Sequence, residues 1–370
     1  MSRSQFGTVQ AVSDGKWRIF WQQGGRKRSK TIHGSREDAE IALAQHKLDS
    51  KGTVEDVTLN EYWKIAVEPT FINLSERTIY DYERLWTVEL QPRFGSCRFS
   101  QLNWRFVERN LQEIASAVVQ RDSYRLLKKV CNLALRDGLL KSNPVDRSIR
   151  LKPYKKKEKV VFLPDELFQI IEKGHKYKHF YCVMLEIGGG LRHEEACAVT
   201  QGDISRLEQG GRLYAVINID KALTTVGGKK VLKGTKNGFS VREVVIGEPF
   251  ASVLLSMVDR LPISDPATHQ ANPVTISRNW KRYCANNDIR YAPFSNMRTM
   301  FSTLHAEAGS LDSLVSLAMG HSGGTTRSRN YMAQTRAGMI LIADSYTDYM
   351  YESVRTKTDL DRFIPENASE

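Results

Sequence analysis

The chain opens in a two-residue alternation and passes to helical periodicity after about residue 35. Residues 8–12, 16–22 and 27–32 read as short extended runs, separated by Asp14-Gly15 and Gly24-Gly25. Both dipeptides favour the tight turns of β-hairpins. In the second run Trp17, Ile19 and Trp21 point to one face and Arg18, Phe20 and Gln22 to the other. Ser35-Arg36-Glu37-Asp38 resembles a capping box and opens a helix to about residue 48. Three strands and a helix predict a self-contained module over residues 1–52.

Residues 57–146 carry helical spacing throughout. Thr58-Leu59-Asn60-Glu61 is a capping box, and Ser75 caps a helix with Ile79, Tyr82, Leu85 and Trp86 on one face. Val107, Leu111 and Ile114 form a further stripe, Tyr124, Leu127 and Cys131 another, and Gly138 is a helix stop. Asn143-Pro144 closes this helical block. Its aromatic residues sit at core spacing. Residues 147–159 are strongly basic and read as a linker. Over 160–350 helices dominate. Pro164 opens one that Gly174 ends, and a second runs from about residue 176 towards 188. Residues 212–219 read as a strand, and 231–236 and 239–246 as two more, joined by Asn237-Gly238 in a predicted two-residue hairpin. Residues 351–370 are a polar tail. The fold class is therefore multidomain and mainly α with small β-sheets: a three-stranded sheet plus helix, a helical block, and a mixed α/β block.

Composition narrows the class. Hydrophobic residues make up 41% and charged residues 26%, which excludes collagen-like, mucin-like and wholly disordered chains. At roughly 100–200 residues per domain, 370 residues allow two to four domains. No apolar run approaches the ~20 residues of a membrane span, and Met1 to Gly7 lack the apolar stretch of a secretory signal. A cytoplasmic or nucleoid protein is expected. The formal net charge of +12 favours a polyanionic partner, nucleic acid before membrane. Cys97, Cys131, Cys182, Cys197 and Cys284 have no CxxC spacing, so they read as reduced core residues and not as metal ligands.

The charge gives two basic segments a candidate role. Arg18, Arg26, Lys27, Arg28 and Lys30 lie on or beside a ribbon of the size that enters a DNA major groove. Lys155, Lys156 and Lys157 make the linker either a solvated charge run or a strand along a phosphate backbone.

Five polar features then follow in order within 160–350: Gly190-Leu191-Arg192-His193-Glu194-Glu195, Thr235-Lys236, Ser295-Asn296-Met297-Arg298, Gly320-His321-Ser322, and Tyr331. Gly188-Gly189-Gly190 has neither phosphate-loop pattern, so it reads as a turn positioning Arg192. Singly, each feature has an ordinary structural explanation. As an ordered set they resemble the tyrosine site-specific recombinases of the phage-integrase type, whose signature is an Arg in G-L-R-x-x-E, a Lys on a hairpin, H-x-x-R, G-H, then Tyr. The resemblance spans 160–350, and residues 57–146 and 1–52 are similar to that family's core-binding and arm-binding domains.

The resemblance implies roles. Tyr331 is the nucleophile that forms a 3′-phosphotyrosine and so conserves the phosphodiester energy. Arg192 and Arg298 hold the charge that gathers on the transition-state phosphate. His321 donates a further hydrogen bond, Lys236 protonates the leaving 5′-oxygen, and Glu195 holds Arg192 or its helix. No metal or cofactor is expected. Double-stranded attachment sites of core and arm types, a homotetramer on DNA, and DNA-bending or excision accessory proteins are the implied partners, in a bacterial cytoplasm. Two departures stand out. Ser295 occupies the family's histidine position and cannot titrate near neutrality. His321 and Tyr331 are ten residues apart, one more than is common, with a glycine-rich run between. His305 is expected to pack or cap, and Tyr346, Tyr349 and Tyr351 fall where a helix should pack. The segment from Met339 through Tyr349 is amphipathic and can dock on a neighbour or on its own domain. A catalytically silent DNA-binding protein and a type IB topoisomerase-like enzyme are the alternatives.

Overall fold

The computed structural model describes residues 7–23, 26–49, 57–154, 158–234, 241–268, 272–321 and 334–355. Two compact units divide the chain, Met1–Lys156 and Lys157–Glu370.

In the first unit strands β1 (Gly7–Ser13), β2 (Lys16–Gln23) and β3 (Arg26–His33) form an antiparallel sheet in that order. Helix α1 (Arg36–Asp49) covers one face. Ile19, Trp21 and Ala39 are buried there, with Trp17, Ile32 and Leu43 packed around them, as the alternation in β2 predicts. Ser35 and Asp38 exchange the two hydrogen bonds of the expected capping box.

The helical block has its own core. It contains α2 (Leu59–Tyr62), α3 (Glu76–Leu85), α4 (Gln91–Phe94), α5 (Trp104–Gln112) and α6 (Ala117–Arg136). The Thr58–Glu61 box and the Ser75 cap form as predicted. Two π-helical stretches, Trp63–Val67 and Trp86–Leu90, interrupt the simple periodicity. Trp63 and Trp86, which begin them, stack at 4.4 Å and nearly parallel in the core. A widened turn admits one more residue while keeping both indoles inside. Helix α6 ends just before Gly138 as expected. The chain beyond Asn143-Pro144 is not free, however. Val145 and Ile149 are buried in this core, and the Lys152 amide donates to Gln120 Oε1 at 2.7 Å. The first half of the segment expected as a linker is therefore packed. Lys155, Lys156 and Lys157 lie outside the described residues.

The second unit is built on α7 (Pro164–Gly174), the wholly buried α8 (Phe180–Gly189) and α9 (His193–Ala196). Strands β4 (Ile204–Gln209), β5 (Arg212–Ile219), β6 (Lys221–Val226), β7 (Lys229–Gly234) and β8 (Arg242–Ile246) follow. The structure corrects the predicted hairpin. Asn237-Gly238 lies outside the described residues, and among the described residues the segment before it does not pair with the segment after it. β7 pairs with β6 across Gly227-Gly228, and β8 joins β5 in the sheet β4-β5-β8. Both turn glycines have positive φ, 56° and 83°, which a two-residue hairpin of this twist requires. β8 is drawn to β5 because Val244, Val245 and Ile246 bury on the same core as Ala215, Val216 and Ile217.

Helices α10 (Phe250–Leu255), α11 (Pro273–Asn286), α12 (Phe294–Glu307), α13 (Asp312–Ala318) and α14 (Arg336–Arg355) complete the unit. Met339, Ile342, Ala343, Tyr346 and Met350 of α14 are buried in this unit's own core. Arg212 pairs with Asp344 and Asp348. The amphipathic segment thus docks on its own domain, and the polar tail begins later than residue 351. All five cysteines are buried and none forms a disulfide. Among the described residues no helix is long and apolar enough to cross a membrane.

Candidate active site

The site begins where α8 stops. Gly190 takes φ +66°, the left-handed turn that ends the helix, and a Cβ there would lie 2.6 Å from the Phe301 ring. Conformation and space both require glycine. The chain reverses and delivers Arg192 to the N-cap of α9, where its amide donates to Glu195 Oε2 at 2.9 Å. Arg298 lies on α12, one turn beyond the exposed Ser295.

Three guanidiniums meet at the end of α13. Arg242 Nε donates to the Ala318 carbonyl at 2.5 Å, Arg298 to Met319 at 2.5 Å, and Arg192 to Gly320 at 2.9 Å. These are successive carbonyls at a helix C-terminus, where orphan acceptors and the helix dipole favour cations. Arg298 also donates to the Gly190 carbonyl at 2.7 Å, tying α12 to the α8 turn. Glu195 links two of the three: Oε1 accepts from Arg192 at 2.6 Å and Oε2 from Arg242 at 2.8 Å. His321 follows directly, with its amide bonded to the Ser316 carbonyl.

Electrostatics follow from this crowding. Burial, reinforced by Arg192, lowers Arg298 to about 10. Burial and then the Arg298, Arg192 and Arg242 charges hold His321 below its ordinary value, so its imidazole is neutral at pH 7. Burial acts to raise the Glu195 pKa, but Arg242 and then Arg192 outweigh it and keep the carboxylate ionised. Behind the site, His193 Nδ1 meets the fully buried Glu186 at 2.7 Å and its ring stacks on Phe294 at 4.1 Å. Burial pushes the Glu186 carboxyl up to about 7 against the opposing pull of His193.

Arg192, Glu195, Arg298 and His321 are thus brought to one corner. Lys236 and Tyr331 lie outside the described residues, but the flanking chain is placed. Gln334 donates to the Glu243 carbonyl and Arg336 pairs with the Glu243 carboxylate, next to Arg242. The described chain stops at His321 in this corner and resumes at Gln334, which bonds to the residue next to Arg242. His305 is buried, bonded to Ser310 at 2.9 Å and pushed down to about 3 by burial, which is a packing role. Tyr346 packs against Phe250 and His305, Tyr349 bonds to Glu307 at 2.5 Å, and Tyr351 meets Phe168. Among the described residues no His, Cys, Asp or Glu group is placed to hold a metal ion.

The basic ribbon is divided by its register. Ile19 pairs with Lys30 and Trp21 with Arg28, so these two cations lie on the helix-covered side of the sheet, at its exposed edge. Arg18 and Lys27 share the open face with Phe20, over which Lys27 sits at 5.0 Å. Arg26 pairs with Gln23 at the turn. Lys16, not singled out by sequence, joins the open face opposite His33. Arg242 was also missed. Its signal was local: an arginine opening the apolar run Arg242-Glu243-Val244-Val245-Ile246 must find a buried partner.

Comparison with known proteins supports this architecture. No family model matches the chain. No curated protein matches it in sequence. Among solved structures, the Tn1549 transposon integrase in complex with a circular intermediate DNA aligns with a TM-score of 0.60 at 20% identity, covering 83% of this chain and 99% of that one. A lambda integrase dimer bound to a core site aligns at 0.51 and 13% identity, covering 90% and 99%. A lambda integrase tetramer bound to a Holliday junction aligns at 0.50 and 12% identity, with the same coverage. The chain shares the fold of these integrases, so the resemblance stated from the motifs is borne out at the level of fold.

Proposed function

We propose that this chain is a site-specific DNA recombinase that cuts and rejoins DNA through a 3′-phosphotyrosine, integrating and excising a phage or other mobile element. The observation that carries the reading is the arginine corner. Two guanidiniums of an ordered five-part motif are held by successive carbonyls, beside a neutral imidazole, and Arg192 keeps an exposed flank. Such a corner binds a phosphate and, more strongly, the charge that collects on its non-bridging oxygens during in-line attack. The two integrases bound to DNA in the same fold support a DNA substrate.

In this reading the Tyr331 hydroxyl loses its proton to solvent, attacks the scissile phosphorus and forms the phosphotyrosine ester. The bond to the 5′-oxygen breaks, and Lys236 supplies its proton. A 5′-hydroxyl from the partner duplex then attacks the ester and releases Tyr331. Arg192 and Arg298 brace the phosphate in both halves, and His321 donates a hydrogen bond from its neutral ring. The lambda tetramer on a Holliday junction supports a tetramer acting on two core sites here. The sheet module would bind separate arm sites, and DNA-bending or excision proteins would set direction.

The test is covalent trapping on a nicked suicide substrate. Wild type should form an SDS-resistant adduct. Tyr331→Phe should form none and still bind the site, because one hydroxyl is lost and little surface changes. An adduct in the Phe protein would reassign the nucleophile. No adduct in wild type would favour a catalytically silent DNA-binding protein. Plasmid relaxation without strand exchange would favour the topoisomerase-like reading.

A further inference from the structure

Glu195 serves two guanidiniums with one carboxylate, and the two arginines differ in exposure. The Arg242 side chain is 1% exposed and Glu195 3%, whereas Arg192 is 41% exposed. Arg242 is shut in at the start of β8, with Nε on the Ala318 carbonyl and its guanidinium against Gly320, where a Cβ would lie 3.0 Å away. Arg192 is the guanidinium of this pair that is open to solvent.

We infer that Arg242 is a positioning residue of this site: it neutralises Glu195 from behind, so that the same carboxylate can orient Arg192 without consuming its charge. The inference rests on the recombinase reading above. Arg192, Arg242, Arg298 and Glu195 together carry a formal charge of +2. Without Arg242 the carboxylate would have Arg192 as its guanidinium partner, and the exposed guanidinium would be drawn into a closed ion pair. Its charge would then be spent before DNA arrives.

The experiment compares wild type, Glu195→Gln, Arg242→Met and the double variant. It measures single-turnover adduct formation on the suicide substrate, core-site binding and thermal unfolding. Arg242→Met should cleave on the order of 100-fold more slowly, the size of losing one preorganised donor, while still binding the core site. In the Glu195→Gln background the same substitution should cost nothing, because no carboxylate charge is left to neutralise. The double variant should therefore cleave no slower than Glu195→Gln and at least about tenfold faster than Arg242→Met. A purely structural arginine would lose as much in both backgrounds. A double variant slower than Glu195→Gln, or a folded Arg242→Met protein at the wild-type rate, overturns the inference. If Arg242→Met fails to fold, the double variant against Glu195→Gln still decides, since that pair holds no charged carboxylate robbed of its partner. A wild-type protein that forms no adduct overturns the recombinase reading and this inference with it. An active wild type whose adduct needs Tyr331, with equal losses in both backgrounds, overturns the inference alone.

Discussion

Ser295 begins the turn of α12 that carries Arg298, and it is exposed beside the arginine corner. A hydroxyl there can donate to a phosphate oxygen but cannot exchange a proton near pH 7. Ser295→Ala should therefore cost one hydrogen bond to a charged oxygen, about 1.5–3 kcal/mol. That is a rate loss of roughly 10- to 150-fold in single-turnover cleavage. Arg192→Ala or Arg298→Ala removes a charge as well and should lose more. Ser295→His should be tolerated and should give the cleavage rate a titration near the imidazole value of about 6.5. Cleavage measured from pH 5.5 to 9 checks all four variants, and a Ser295→Ala protein as fast as wild type would leave Ser295 without a catalytic part.

At the scale of elements, the α8–α9 corner stores an acid–base pair that the motif does not explain. Glu186, fully buried on α8, is pushed by burial up to about 7 from an ordinary 4.5. Burial acts to lower His193, but its bond to Glu186 wins and leaves the imidazole above its ordinary 6.5. Both groups hold protons in the folded protein that they release in the unfolded chain. Their contribution to stability is thus greatest on the acid side. Glu186 loses it between pH 4.5 and about 7, and His193 above 6.5. The melting temperature should fall as pH rises from 5.5 to 8.5, and Glu186→Gln should flatten that decline. Circular dichroism melts across the range test this, and an unchanged slope in the Gln variant would remove the pair as its cause.

At the scale of the whole molecule, the proposed function divides DNA binding between the amino-terminal sheet and the core-binding block. The open face of the amino-terminal sheet presents Lys16, Arg18 and Lys27, while Arg28 and Lys30 stand on the other side. Deleting residues 1–52 should abolish binding to arm sites and spare the core site. Three face cations on phosphates correspond to a salt slope of magnitude about 2.7, at ~0.9 per contact. Gel-shift titrations in increasing salt would measure it, and unchanged arm-site affinity in the truncated protein would refute the division. Arg28→Ala should alter the slope less than Arg18→Ala.

Much of this protein was legible from its residues in order. Alternation in β2, the Thr58–Glu61 and Ser35–Asp38 boxes, and the helix start at Pro164 are local effects, decided by backbone geometry within a few residues. The turn at Gly190 that positions Arg192 was readable for the same reason. Pairing over distance was not readable. Asn237-Gly238 is a strong local hairpin signal, yet β8 left its neighbour for β5 because burying Val244–Ile246 outweighs a favourable turn. The π-helical stretches arose because Trp63 and Trp86 had to meet in one core. Arg28 and Lys30 parted from Arg18 through cross-strand register, which no single strand contains. Above all, the meeting of Arg192, Arg242 and Arg298 on three successive carbonyls joins α9, β8, α12 and α13. Sequence supplied the charges, but only folding brought them to one helix end and set which guanidinium is buried and which faces outward.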